Sequence, residues 1–153
     1  MILYLDTSAL VKLYVRERGR ALVRKAVAAA TQVATSRVAY PEARAAFARR
    51  RREGALAERA LRRVVADLDR DLPSLVVVEA PADVARRAGD LAQAHALRGF
   101  DAIHLACALE LARAGADTAF LAFDARLAAA ARSVGLREPG TTRPPRRPGV
   151  KAP

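Results

Sequence analysis

The stretch Ile2-Leu3-Tyr4-Leu5-Asp6-Thr7-Ser8-Ala9-Leu10-Val11-Lys12-Leu13-Tyr14 decides how the rest of the chain is read. An apolar run stops abruptly on a carboxylate, two hydroxyl residues follow, and a helical pattern begins through Leu10, Val11 and Tyr14. A run this short, bounded by turn chemistry, predicts a buried strand. Thr7 or Ser8 is expected to cap the helix, its side-chain oxygen accepting from an orphan backbone N–H. A strand that ends on Asp6 and turns directly into a helix sets an acid at the carboxyl edge of a sheet, where open α/β sheets bind ligands.

Outward from this stretch the pattern alternates. Gly19 stops the first helix, and Leu22, Val23, Ala26 and Val27 mark a second over residues 20–30. Gln32–Thr35 is a short strand, after which Ser36 opens a helical segment with Pro41 in its first turns. That segment ends in Arg49-Arg50-Arg51-Arg52, and Gly54 breaks the chain. From Leu56 onward, Ala60, Val64, Leu68 and Leu72 repeat at helical spacing until Pro73. Residues 37–71 are therefore expected to form a protruding αα-hairpin. Leu75–Val78 reads as a buried strand and residues 82–97 as a helix. Asp101 then introduces a helix apolar nearly all round, the mark of a central element. Residues 118–123 are strand-like and end on Asp124, before an Ala-rich helix that reaches Gly135. Strands alternating with helices predict an α/β three-layer arrangement around a mainly parallel sheet.

A length of 153 residues fits one domain, assigned to residues 1–138. Five of the eight prolines fall in residues 139–153 together with Arg143, Arg146, Arg147 and Lys151, a composition expected to be disordered. The net charge of +11 predicts a polyanionic partner, although arginine also serves as a helix-compatible solubilising residue. Cys107 is the single cysteine, so no intramolecular disulfide exists, and it is expected in the core. The N-terminus has no basic leader before an apolar stretch, and no apolar run approaches membrane-spanning length. A soluble cytoplasmic protein is the expectation.

Most acids, Glu17, Glu53, Asp69 and Asp71 among them, stand in polar surroundings. Asp6, Glu42, Asp101 and Asp124 do not. Each has an ordinary explanation: Asp6 and Asp101 as helix caps, Asp124 as a turn residue, Glu42 as the partner of an arginine such as Arg44. Jointly they point elsewhere, because carboxylates beside buried elements are costly to desolvate unless neutralised. A helix terminus contributes only about 0.3–1 kcal/mol, too little for four acids at one place. A divalent cation such as Mg²⁺, which takes oxygen ligands and keeps several waters, answers the need. His104 lies one turn after Asp101, where it either faces that site or, as is commoner on an apolar helix, is a hydrogen-bonded core residue. His95 is expected at the surface.

The blocks Leu5-Asp6-Thr7-Ser8-Ala9-Leu10, Tyr40-Pro41-Glu42-Ala43-Arg44, Arg98-Gly99-Phe100-Asp101-Ala102-Ile103-His104-Leu105-Ala106 and Phe123-Asp124-Ala125-Arg126-Leu127 resemble, in order and spacing, the PIN-domain family, and within it toxins of the VapC type. The resemblance covers residues 1–138. It implies a twisted parallel sheet with acids at its carboxyl edge and Mg²⁺- or Mn²⁺-dependent cleavage of RNA. Asp6 and Asp101 would be the principal metal ligands; Glu42 and Asp124 would complete the pocket or serve a second ion, with Thr7 and Ser8 supporting. It also implies a homodimer and a cognate antitoxin. One departure stands out: members often carry Thr or Ser two residues before the last acid, where this chain has Ala122.

The basic residues expected to hold RNA phosphates around such a pocket are Lys12, Arg16, Arg44 and the run Arg49–Arg52. Two other classes compete. A phosphatase of the haloacid-dehalogenase type also places an Asp after its first strand but needs a second acid where this chain has Ser8. A non-catalytic module binding RNA or the ribosome through charge leaves the four acids unexplained.

Overall fold

The structure, a computed structural model, describes residues 1–141. Four strands, β1 (Ile2–Leu5), β2 (Gln32–Ser36), β3 (Val76–Val78) and β4 (Thr118–Leu121), form one parallel sheet in the order β3-β2-β1-β4. Successive residues of a strand point to opposite faces. Leu3 and Leu5 accordingly enter one core, and Tyr4 enters the other. Because both faces of β1 are covered, its sequence is continuously apolar instead of alternating.

The first core is closed by α1 (Thr7–Tyr14), α2 (Arg20–Ala28), α3 (Ala39–Arg52) and α4 (Glu58–Asp71). The second is closed by α5 (Ala82–His95), α6 (Gly99–Arg113) and α7 (Ala125–Ser133). The result is a three-layer α/β/α domain. Helix α6 is the most enclosed, with Ala102 and every residue from His104 to Ala108 buried, Cys107 included. The α3–α4 hairpin is anchored through Phe47, Val64 and Leu68, while residues 51–55 at its tip are exposed. From β1 the chain moves outward through β2 to β3, then returns to place β4 on the other flank of β1. The order of strands therefore reverses between β1 and β4, where the carboxyl ends open a crevice.

Several local expectations are corrected. Asp6, not Thr7 or Ser8, is the N-cap of α1, its carboxylate accepting from Ala9 N–H. Ser36 ends β2 opposite Val78 instead of opening a helix, and α3 starts at Ala39 with Pro41 still in its first turn. There its missing N–H is one of the orphans of a helix start. Leu121 ends β4, so Ala122 and Phe123 separate the strand from Asp124. β3 is half-buried, not buried, because it is an edge strand flanked only by β2. The disorder expected of residues 139–153 falls mostly outside the described residues, which end at Thr141; Thr141 itself folds back, its N–H donating to the Glu138 carbonyl at 3.3 Å. No helix among the described residues is long and apolar enough to cross a membrane.

Candidate active site

At the crevice beside β1, a cavity of about 400 Å³ is lined by Asp6, Glu42, Asp101 and Asp124, with Thr7, Ser8 and His104 between them. The four acids come from four places: the β1–α1 turn, α3, the first turn of α6, and the β4–α7 turn.

Asp6 is only 4% exposed. Its Oδ1 accepts from Ala9 N–H at 2.8 Å, and Ser8 Oγ lies 2.8 Å from both carboxylate oxygens. These bonds favour the ionised form, yet burial outweighs them and pushes the carboxyl up to about 6. Ser8 reaches further, accepting from Phe123 N–H at 3.0 Å. The loop that Ala122 leaves without a side-chain anchor is thus tied to Asp6 through Ser8.

Glu42 faces inward and does not pair with Arg44. Its Oε2 accepts from Thr7 Oγ1 at 2.5 Å and lies 3.0 Å from His104 Nε2. On the other side of the ring, His104 Nδ1 is 3.2 Å from Tyr4 Oη. Burial holds the Tyr4 phenol well above its ordinary value, so it remains a donor. Both ring nitrogens are thus engaged, Nδ1 with the phenol and Nε2 with Glu42. Burial works against ionised Glu42, but the bonds from His104 and Thr7 prevail and hold its carboxyl below the ordinary value. The two alternatives weighed for His104 therefore coincide: it is a buried core residue whose far nitrogen meets the site.

Asp101 is half-buried in the first turn of α6, whose dipole favours an anion. Burial, then the negative charges of Asp124 and Glu42, nevertheless raise its pKa. Asp124 is exposed and caps α7, accepting from Leu127 N–H at 2.9 Å. A cation at Asp101 would offset the negative charges of Asp124 and Glu42 that crowd it. The donor set is all hard oxygen, which suits Mg²⁺ or Mn²⁺. Among the described residues, however, no three His, Cys, Asp or Glu side chains are arranged to hold an ion as a ready-made cage. The residues fit a cation that keeps much of its own water and takes one or two carboxylates directly.

The rim is basic but smaller than expected. Lys12 and Arg50 line the cavity, and both are bound to Glu17: Lys12 Nζ donates to Oε1 at 2.6 Å and Arg50 Nη2 donates to Oε2. Arg16 instead lines a neighbouring groove. Arg44 turns to the Tyr40 hydroxyl and Arg49 to Glu53, outside the cavity. Three polar residues add to the expected lining: His104, for which a place in the core is the commoner expectation; Glu17, an ordinary polar position in the sequence; and Arg98, the N-cap residue of α6. The spacing of His104 from Asp101 gave a signal. Nothing local marked Glu17 or Arg98.

Residues 3–133 match the family described as PIN domain. Two relatives from strains of Mycobacterium tuberculosis, ribonuclease VapC45 and ribonuclease VapC49, are each 41% identical over 140 residues, spanning 89% of this chain and 93% of their own length. The crystal structure of M. tuberculosis VapC20, described as a sarcin–ricin loop cleaving toxin, is similar with a TM-score of 0.63 at 22% identity, over 93% of this chain and 99% of its own. FitAcB from Neisseria gonorrhoeae gives 0.62 at 18% identity, over 91% and 98%. A toxin–antitoxin complex from Klebsiella pneumoniae gives 0.55 at 21% identity, over 78% and 84%. These structures bear on the fold.

Proposed function

The chain belongs to the PIN-domain family, and from that membership we propose that it is a divalent-metal-dependent endoribonuclease, the toxin of a toxin–antitoxin pair. The observation that carries the proposal is the convergence of Asp6, Glu42, Asp101 and Asp124, from four separate segments, on one cavity with cations at its rim. The names of the ribonuclease relatives supply the substrate class. Mg²⁺ or Mn²⁺ held by Asp6 and Asp101 would supply a Lewis acid and a water of lowered pKa.

The chain's own residues do the rest. Ser8 fixes the carboxylate of Asp6 toward the cavity. Thr7 and His104 occupy Oε2 of Glu42 and leave Oε1 to accept from water and orient it toward phosphorus. Asp124 and Glu42 complete the negative field, through water or around a second ion. Lys12, Arg50 and Arg98 hold flanking phosphates, positioning the scissile bond without reading its sequence. The further partners proposed are a cognate antitoxin seated in the acidic groove and a second copy of the chain. An apolar groove between α2 and α7, with Leu22 52% exposed at its rim, supports the homodimer, which light scattering tests. The cytoplasm is the proposed compartment.

The test is substitution. Asp6→Asn and Asp101→Asn are each expected to abolish metal-dependent RNA cleavage while RNA binding is kept or tightened. Cleavage that persists in both variants overturns the proposal.

A further inference from the structure

A fifth carboxylate lines the cavity, and it is engaged differently from the other four. Glu17, in the loop between α1 and α2, divides its oxygens between two cations from different helices, Lys12 of α1 on Oε1 and Arg50 of α3 on Oε2. Each cation has a second contact besides Glu17. Lys12 Nζ stands 4.4 Å from the centroid of the Phe123 ring, and Phe123 is itself braced on Gly19. Gly19 has φ +93°, and a Cβ there would stand 2.5 Å from the ring, so only glycine lets that ring close over the lysine. Arg50 Nη1 reaches the Ala46 carbonyl at 3.5 Å, one turn back on its own helix. The side chains of Lys12, Arg50 and Glu17 are 14%, 27% and 25% exposed, so all three are shielded but reachable.

Their position is a junction. Glu17 and Arg50 line both the acid cavity and an adjoining groove of about 880 Å³ that also carries Arg16, Arg20, Arg24, Arg63 and Arg70. Arg63 and Arg70 are partly neutralised by Asp67, while Arg16 and Arg24 form no ion pair among the described residues. Arg50 and Glu17 stand where cavity and groove adjoin, with Lys12 on the cavity side.

We propose that Lys12 and Arg50 form a subsite for the phosphate next to the scissile one, and that Glu17 occupies it in the free protein as an internal stand-in for that phosphate. A carboxylate and a phosphodiester each offer one negative charge over two terminal oxygens, so the same two donors serve either. The inference rests on the ribonuclease function proposed above and adds to it a competition. RNA must displace Glu17, which then faces the incoming phosphate with like charge. Glu17 therefore weakens binding for every RNA equally and limits loose capture of polyanions by a strongly basic chain.

The experiment uses the full chain carrying Asp101→Asn, so that RNA is bound without being cut, and follows the anisotropy of a short fluorescein-labelled single-stranded RNA across a series of salt concentrations. Adding Glu17→Gln is expected to tighten binding by about threefold to tenfold at low salt and to steepen the log–log salt dependence by about one. Glu17→Ala is expected to act in the same direction. Adding Lys12→Met is expected to weaken binding and to remove most of the gain from Glu17→Gln, because the freed cation is then missing. Unchanged or weaker binding in both Glu17 variants overturns the proposal, since it makes Glu17 a brace for the two cations. Tightening for a polyglutamate peptide but not for RNA overturns the assignment to phosphate. If the Asp101→Asn chain does not bind RNA at all, the ribonuclease proposal falls with this one; if it binds but the Glu17 variants do not tighten it, only the subsite falls.

Discussion

Two turns of this molecule are built alike and do different work. At β1–α1 and at β4–α7 a parallel strand gives way to a helix whose N-cap is an aspartate, accepting from the N–H three residues on at 2.8 Å in Asp6 and 2.9 Å in Asp124. The strands are neighbours in register, Leu5 opposite Leu121, and Ser8 joins the turns by binding Asp6 and Phe123 N–H. Yet Asp6 is buried and Asp124 exposed. The capping bond is the same, so the contrast comes from solvent. At Asp124 the capping carboxylate is exposed to solvent while it lines the cavity. At Asp6 desolvation exceeds what the cap and Ser8 return, and the carboxyl titrates near 6. An acid kept at that expense to the fold is one whose charge is used.

The largest way to test the contrast is activity. Asp6→Asn is expected to lower RNA cleavage on the order of 10³-fold or more, and Asp124→Asn by about 10–10²-fold, as for an outer group around a metal. Initial rates on one RNA at saturating Mg²⁺ measure both, and equal losses would erase the distinction between the turns. Next comes stability without metal. Because the folded-state pKa of Asp6 is raised, its contribution is most favourable when protonated and worsens as pH climbs from 3.8 to about 6. Asn is as good a cap without the charge. Asp6→Asn is therefore expected to stabilise the metal-free protein at pH 7 by about 1–3 kcal/mol. Its advantage over the parent should grow between pH 4 and 6 and level off above, as urea titrations across pH will show. Asp124→Asn should change stability by no more than about 0.5 kcal/mol.

A smaller effect is expected where the turns are joined. Ser8→Ala removes a donor to ionised Asp6 and an acceptor for Phe123 N–H. It should cost about 1 kcal/mol at neutral pH and raise the Asp6 pKa further. Calorimetric melting and the pH dependence of stability check the two parts, and a lowered Asp6 pKa would show that Ser8 does not support the charge.

The comparison also explains what was legible in the chain. Both turns can be read locally, because an apolar run, an acid and a helical pattern fall within a dozen residues, and the four acid-bearing blocks keep their order. The α/β/α layering follows from the same periodicity. Burial is not local. Asp6 and Asp124 look equivalent in sequence and differ because Asp6 follows the buried end of β1 directly, whereas Ala122 and Phe123 carry Asp124 beyond the buried end of β4. Ser36 resembles a helix start until β3 pairs with it. Glu17 is unremarkable beside Lys12 and acquires meaning only when α3 brings Arg50 across. His104 is apolar in its neighbours yet polar in what its ring reaches, a distinction made by Tyr4 on one side and Glu42 on the other.

The central claim is that these acids hold a divalent cation that RNA cleavage requires, and metal removal with add-back tests it most directly. The purified chain is stripped with EDTA, exchanged into metal-free buffer, and assayed on RNA before and after Mg²⁺ or Mn²⁺ is restored. The account predicts no cleavage in the stripped protein, full recovery on add-back, and no recovery in Asp6→Asn. Cleavage that proceeds unchanged in EDTA would contradict it.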